Sequence, residues 1–248
     1  MRGSMTKVRQ NATILLCLFL LAIFSGCGKT AGDVSEKQDA SAEKSPLGEP
    51  FAEDGLIRSL AATVEIFADN YHGSGVIYAQ KEDGIVLVTA AHVIPAGCQE
   101  IKIVFGDGEE SVCTDYRLAE QIDGAFLEVK TEMLPEDWQE KYAIVKKDRK
   151  IFDAIQSEDG VFLRDYDSEN DLGCRFAMVV ESWIYVEDFG THMMLVSGEA
   201  HSGMSGCGVF EENGCFLGIL CGANDDGELA VLPYSLIEAN FAKAYPPA

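Results

Sequence analysis

The chain has 248 residues, of which 41 are acidic and 19 basic, and its formal net charge is −22. This charge excludes nucleic-acid binding, because phosphate recognition requires a surface of the opposite sign. Hydrophobic residues make up 47% of the chain, which is enough for one large domain with a well-filled core.

The first segment has the pattern of a targeting signal. Basic residues precede an apolar run at 14–24, which ends in two small residues and Cys27. Small residues directly before a cysteine resemble the lipobox of bacterial lipoproteins, in which that cysteine is lipidated. We therefore predict a signal peptide over 1–27, a lipid anchor on Cys27, and a lipoprotein that faces outside the cytoplasm. An uncleaved anchor helix and an ordinary secretory signal are the alternatives, and each of them also exports the protein.

Residues 28–50 are rich in Ser, Ala, Gly, Lys, Asp and Glu, and they contain almost nothing apolar to bury. This composition predicts a disordered tether. The folded domain is then predicted to occupy 51–248, with no room for a second one.

Within that domain, short β-branched and aromatic segments alternate with turn signals such as Asn213-Gly214. A helix is predicted at 234–243, after Pro233. Many short strands with little helix indicate an all-β sandwich or barrels. The predicted strands are 63–67, 75–78, 85–88, 101–105, 125–129, 142–145, 176–186, 192–196, 208–211, 216–221 and 228–232.

Three motifs contain the residues that a serine hydrolase needs. His92 ends Thr-Ala-Ala-His, Asp123 begins Asp-Gly-Ala-Phe-Leu, and Ser205 lies in Gly-Met-Ser-Gly at 203–206. A serine hydroxyl becomes a good nucleophile only when an imidazole takes its proton, and a carboxylate must orient that imidazole. The order His, Asp, Ser argues against an α/β-hydrolase, which runs Ser, Asp, His. The alternative is a structural histidine, a turn cap and an incidental hydroxyl.

Together with Gly-Ser-Gly-Val at 73–76, these motifs resemble the trypsin-like (chymotrypsin-fold) serine peptidases, and among them the bacterial Htr/Deg type without its PDZ domain. The resemblance implies two perpendicular six-stranded antiparallel β-barrels and a short C-terminal helix. It also implies His92 as general base, Asp123 as its orienter and Ser205 as nucleophile. The glycine-flanked turn is expected to aim the amides of Gly203 and Ser205 at one oxygen, as an oxyanion hole.

The substrate is expected to be a protein or peptide, and neither a cofactor nor a metal is implied. Cys221, Gly222 and Ala223 follow an apolar strand at the place where the family pairs its edge strand with extended substrate. Glu199, six residues before the serine, resembles the acid that selects basic side chains in trypsin. Its alternative is an exposed loop residue, and His201 is interpreted as loop.

Six cysteines follow the signal, at 98, 113, 174, 207, 215 and 221, and their even number permits disulfides of unknown pairing. Cys207 either pairs or, as we prefer, packs as a small apolar side chain. Met204 stands where digestive relatives carry an aspartate. These departures keep a second hypothesis open, in which the chain is a weak or inactive homologue that acts as a peptide-binding module.

Overall fold

The structure, a computed structural model, describes residues 52–164, 173–224 and 226–246. The predicted signal peptide, Cys27 and the tether at 28–50 lie outside the described residues. Among the helices of the described part, none is long and apolar enough to cross a membrane.

The first half of the domain is a seven-stranded antiparallel sheet with the strand order β5-β4-β1-β2-β3-β7-β6. Strand β3 is buried along its whole length, because β-branched and aliphatic residues occupy both of its faces, and β2 is buried over 73–78. The seven strands are β1 (Thr63–Ala68), β2 (Tyr71–Lys81), β3 (Gly84–Thr89), β4 (Ile101–Phe105), β5 (Glu110–Val112), β6 (Asp115–Leu118) and β7 (Ala125–Lys130).

The second half is a closed six-stranded antiparallel barrel with the order β10-β13-β12-β11-β8-β9. In the described residues, four α-helices accompany the strands: α1 (Glu53–Ala61), α2 (Trp138–Lys141), α3 (Arg149–Ala154) and α4 (Tyr234–Ala244). The barrel strands are β8 (Gly160–Arg164), β9 (Cys174–Val186), β10 (Thr191–Ser197), β11 (Gly208–Glu211), β12 (Phe216–Ala223) and β13 (Glu228–Pro233).

An aromatic cluster joins the two halves. Tyr78 of β2 packs edge-on against Phe216 of β12 and Phe241 of α4, with ring centroids 6.1 and 5.0 Å apart. Phe126 of β7 meets the same Phe241 ring at 5.6 Å. The C-terminal helix therefore binds both sheets, and edge-to-face pairs of this kind add to the free energy of burial.

The prediction of an all-β, two-barrel domain with a C-terminal helix is confirmed, with the first barrel formed as a half-barrel sheet of seven strands. The predicted strand at 142–145 is wrong. Its amides donate to two separate elements, Ala143 to the carbonyl of Ala61 and Val145 to that of Ile77, so the segment is an extended connection that lies in no sheet.

Strand β8 was not among the predicted strands, because its apolar run at 161–163 is short and ends in the charged Arg164. Arg164 is 2% exposed, and its guanidinium donates to the hydroxyl of Ser59 at 2.8 Å and to the carbonyl of Leu56, both in α1. A buried arginine is tolerated only when its donors are satisfied. Here helix α1 provides the acceptors, and a local pattern cannot reveal that contact.

Candidate active site

The register between two neighbouring strands brings His92 and Asp123 together. In the antiparallel pair β3 and β7, Thr89 lies opposite Ala125. His92 follows the end of β3 in a short 3-10 helix (Ala91–Val93), and Asp123 lies just before β7 begins. The exit of one strand and the entry of the other are at the same edge of the sheet. Both side chains are thus carried by rigid elements.

Asp123 holds the histidine at two points. Its Oδ2 lies 2.7 Å from Nδ1 of the His92 ring, and its Oδ1 accepts the backbone N–H of His92 at 3.0 Å. A carboxylate accepts only, so Nδ1 carries the proton and the lone pair is on Nε2. This is the tautomer that a general base requires.

The electrostatics of the pair agree with that arrangement. The hydrogen bond to Asp123 raises the pKa of His92 above its ordinary value, against desolvation, which lowers it. Burial alone would raise the pKa of Asp123, but hydrogen bonds from the ring and from the amides of His92 and Ala91 outweigh it and hold this pKa below its ordinary value. The carboxylate is therefore charged over the whole neutral range.

Ser205 lies in the loop between β10 and β11, and this loop is packed closely against the first sheet. Gly206 has φ +89°, and a Cβ added there would lie 2.1 Å from the carbonyl oxygen of Ser74 and 2.3 Å from Oγ1 of Thr89. Only glycine fits this backbone and this contact. Met204, at the position where digestive relatives carry an acid, is fully buried.

Ser74 of β2 fixes this loop, and its role was missed by sequence reasoning. Its amide donates to the carbonyl of Ser205 at 2.8 Å, and its hydroxyl donates to the carbonyl of Gly203 at 2.8 Å. Oγ1 of Thr89 in turn donates to the carbonyl of Ser74 at 2.6 Å. The signal in the sequence is the Gly-Ser-Gly motif at 73–75, which carried the family resemblance with no role assigned to its serine.

The amides of Gly203 and Ser205 differ from those of Met204, Gly206 and Cys207, which each have a backbone acceptor. Met204 donates to the carbonyl of His201 at 3.3 Å, Gly206 to that of Leu220, and Cys207 to that of Met204. Within the described residues, the amides of Gly203 and Ser205 donate to no acceptor. These are the two donors that the sequence predicted for an oxyanion hole.

Ser205 and His92 lie near each other, and in the described residues no hydrogen bond joins their side chains. A Cβ on Gly73 would lie 2.6 Å from a methyl of Val93 and 2.9 Å from the carbonyl oxygen of Ser205, so the histidine segment and the serine loop meet there. Across the described residues, no hydrogen bond joins Oγ of Ser205 to the His92 ring. In unliganded sites such bonds are often long and tighten when substrate binds.

Comparison with known proteins gives structural matches only. No protein-family model matches the sequence, and no curated protein matches it significantly. Among solved structures, an inactive-form mutant of Rv3671c from M. tuberculosis has 19% identity and a TM-score of 0.60, and the match covers 78% of this chain and 92% of that one. The active form of the same protease has 18% identity, 76% and 83% coverage, and again a TM-score of 0.60. The HtrA-type protease AlgW, solved with a tripeptide, has 18% identity, 76% and 62% coverage and a TM-score of 0.60.

The chain has the fold of the trypsin-like serine peptidases. In this peptidase fold, the end of β12 is the predicted substrate-binding edge. Strand β11 begins at Gly208, so Gly222 and Ala223 extend beyond its pairing, and Ala223 is exposed. Cys221 is turned inward, and its thiol donates to the carbonyl of Asp123 at 3.3 Å. Burial raises the pKa of this thiol well above its ordinary value, so it remains a neutral donor.

The structure also shows where Glu199 and the six cysteines of the domain lie. Glu199 is exposed, one residue beyond Gly198, whose amide donates to the carbonyl of Gly227; its role in selecting substrate stays a prediction. The cysteines at 98, 113, 174, 207, 215 and 221 are thiols in the structure. Cys207 is buried in the core, which is the packing that we preferred for it.

Proposed function

We propose that the chain is a serine endopeptidase. Ser205 Oγ attacks the carbonyl carbon of the scissile bond while His92 Nε2 takes its proton, and the carbon–nitrogen bond then breaks as the imidazolium gives that proton to the leaving amine. Water hydrolyses the resulting acyl-enzyme by the same route. The observation that carries the proposal is the two-point hold of Asp123 on His92, at 2.7 and 3.0 Å.

Two further features support peptide-bond hydrolysis. The free amides of Gly203 and Ser205 are suited to an oxyanion, and each such donor is typically worth about 3 kcal/mol of transition-state stabilisation. Gly222 and Ala223 pair with β13 on one side, and on the other side, where β11 has ended, no strand of the described residues pairs with them. That edge is suited to an extended peptide, which would add a strand there. Neither feature requires a metal or a cofactor.

The test is labelling of residues 28–248 with a fluorophosphonate probe, which reports an activated serine without knowledge of the substrate. We expect labelling of the wild type and none of Ser205→Ala or His92→Ala. Matched controls are Ser182→Ala in β9 and His192→Ala in β10, which should label as the wild type does. Labelling that persists in Ser205→Ala would show that the wrong serine has been assigned.

The second candidate is a peptide-binding module with little or no turnover. The absence of a hydrogen bond between Ser205 and His92 in the described residues favours it. This candidate predicts that the folded wild type is not labelled by the probe. It also predicts that the wild type and Ser205→Ala bind peptides with the same affinity. Turnover of a peptide library by the wild type would exclude it.

We also propose export and a lipid anchor on Cys27, because basic residues, an apolar run and small residues precede that cysteine. Labelled palmitate supplied to expressing cells should be incorporated into the wild type and not into Cys27→Ser. Preference for basic side chains is proposed for Glu199. Glu199→Gln should then reduce cleavage after Lys and Arg more than cleavage elsewhere.

A further inference from the structure

One peptide in the serine loop has two possible orientations. The amide of Met204 donates to the carbonyl of His201 at 3.3 Å, which closes a four-residue turn. Gly203, the third residue of this turn, has φ +95°, which is typical of a type II turn. A type I turn connects the same ends with the middle peptide inverted. The peptide between Ser202 and Gly203 can therefore face either way within the same loop.

The orientation of this peptide decides whether Gly203 contributes to the site. The described peptide bonds are trans, so the N–H of Gly203 points away from the carbonyl of Ser202. In the observed orientation that N–H donates to no acceptor in the part of the chain described, and it is available to an oxyanion. Inversion would remove the donor and place a carbonyl oxygen where negative charge develops.

The two proposed oxyanion donors are fixed by different means. The Ser205 amide belongs to a peptide whose carbonyl, on Met204, accepts the backbone amide of Cys207 at 2.9 Å. The Gly203 amide belongs to a peptide whose carbonyl, on Ser202, lies 2.9 Å from Nδ1 of the His201 ring. A carbonyl only accepts, so Nδ1 donates. No backbone amide of the described residues shares that carbonyl.

We propose that His201 is a positioning residue that holds the Ser202–Gly203 peptide with its N–H available to the oxyanion. This inference rests on the proposed peptidase function and gives a role to a residue that the sequence pattern predicts only as part of a loop. It makes one donor of the oxyanion hole depend on a side chain, while the other depends on the backbone alone.

The matched pair of variants is His201→Asn and His201→Leu in the full chain. Asparagine keeps an N–H donor near the position of Nδ1, and leucine has similar bulk without a donor. We expect His201→Leu to lower kcat by about ten- to a hundredfold, which is less than the fall in kcat when a whole oxyanion donor is removed, and to change KM by no more than about twofold. We expect the kcat of His201→Asn to stay within about threefold of the wild-type value. Equal losses in both variants would overturn the proposal.

A structural measurement tests the same idea without activity. Crystal structures should show the Ser202–Gly203 peptide inverted in His201→Leu and unchanged in His201→Asn. An unchanged peptide in both variants would refute the positioning role of His201, even if the wild type proved inactive. Gly203→Ala provides a second variant, because alanine disfavours φ +95° and should invert the same peptide. If the wild type is not labelled by the fluorophosphonate, but the Ser202–Gly203 peptide is inverted in His201→Leu, the result would count against the peptidase function and not against the role of His201.

Discussion

Replacement of Asp123 by asparagine is the sharpest test of the proposed triad. The carboxylate accepts hydrogen bonds from two donors of His92, the backbone N–H and the ring Nδ1. An amide in its place would present its own N–H to one of these two donors. The ring would then turn its proton to Nε2, where the base needs a lone pair. Such a change of tautomer lowers kcat by about 10⁴, or about 5 kcal/mol of transition-state stabilisation. KM should change little, because no substrate contact is lost.

The pH profile gives an independent measure of the same contact. Only neutral His92 acts as a base, so activity rises with pH through its pKa. Because the bond to Asp123 raises that pKa, the acid limb of the wild type should lie above the ordinary histidine value, and the limb of Asp123→Asn should move to lower pH. The assay is the rate of fluorophosphonate labelling across pH.

The control is Asp83→Asn, at the opposite end of β3, whose carboxylate is 67% exposed. It should leave both the rate and the pH profile unchanged. If Asp123→Asn labelled within tenfold of the wild type, with its acid limb in the same place, the carboxylate would not be orienting the base and the assignment of the triad would fail.

Two further changes test the packing of the serine loop. Ser74→Ala removes the hydroxyl that donates to the carbonyl of Gly203. It should lower the unfolding free energy by about 1 kcal/mol and kcat by roughly tenfold or more. The control Ser157→Ala loses a hydrogen bond of the same 2.8 Å length elsewhere and should lower stability alone. Gly206→Ala forces a Cβ to 2.1 Å from a carbonyl oxygen and should cost about 3 kcal/mol or more in a denaturant titration. Gly108→Ala, with a similar φ of +84° and nothing within 4 Å, should cost about 1 kcal/mol. Equal costs for the two glycines would show that the close contact at 206 is absent.

The part of the site that the sequence predicted depends on local patterns. His92 follows a run of buried β-branched residues and Asp123 precedes another, so the ends of two strands could be recognised from the printed chain. Their pairing then follows from the register of β3 and β7. The helix at 234–243 was similarly local, because Pro233 ends a strand and begins the helical pattern.

The missed part depends on contacts between distant residues. The hydroxyl of Ser74 bonds a carbonyl 129 residues away, and nothing near it in the sequence indicates an acceptor. Arg164 can lie buried at the end of an apolar strand because α1, more than 100 residues earlier, accepts hydrogen bonds from its guanidinium. The role of His201 is local in sequence, yet it depends on the φ of Gly203, and a glycine permits either sign of that angle.

The two devices that fix the serine loop should act on different properties of the site. Ser74 belongs to the first sheet, so its bonds to the loop set the distance between the nucleophile and the base. His201 belongs to the loop itself and sets only the direction of one amide. Inverting one peptide leaves the Cα atoms on either side almost in place, so two molecules can share the whole fold and differ in this donor. Under the proposed function, the Ser202–Gly203 peptide then decides whether the Gly203 donor faces the oxyanion, and His201 is the side chain that we propose holds this peptide.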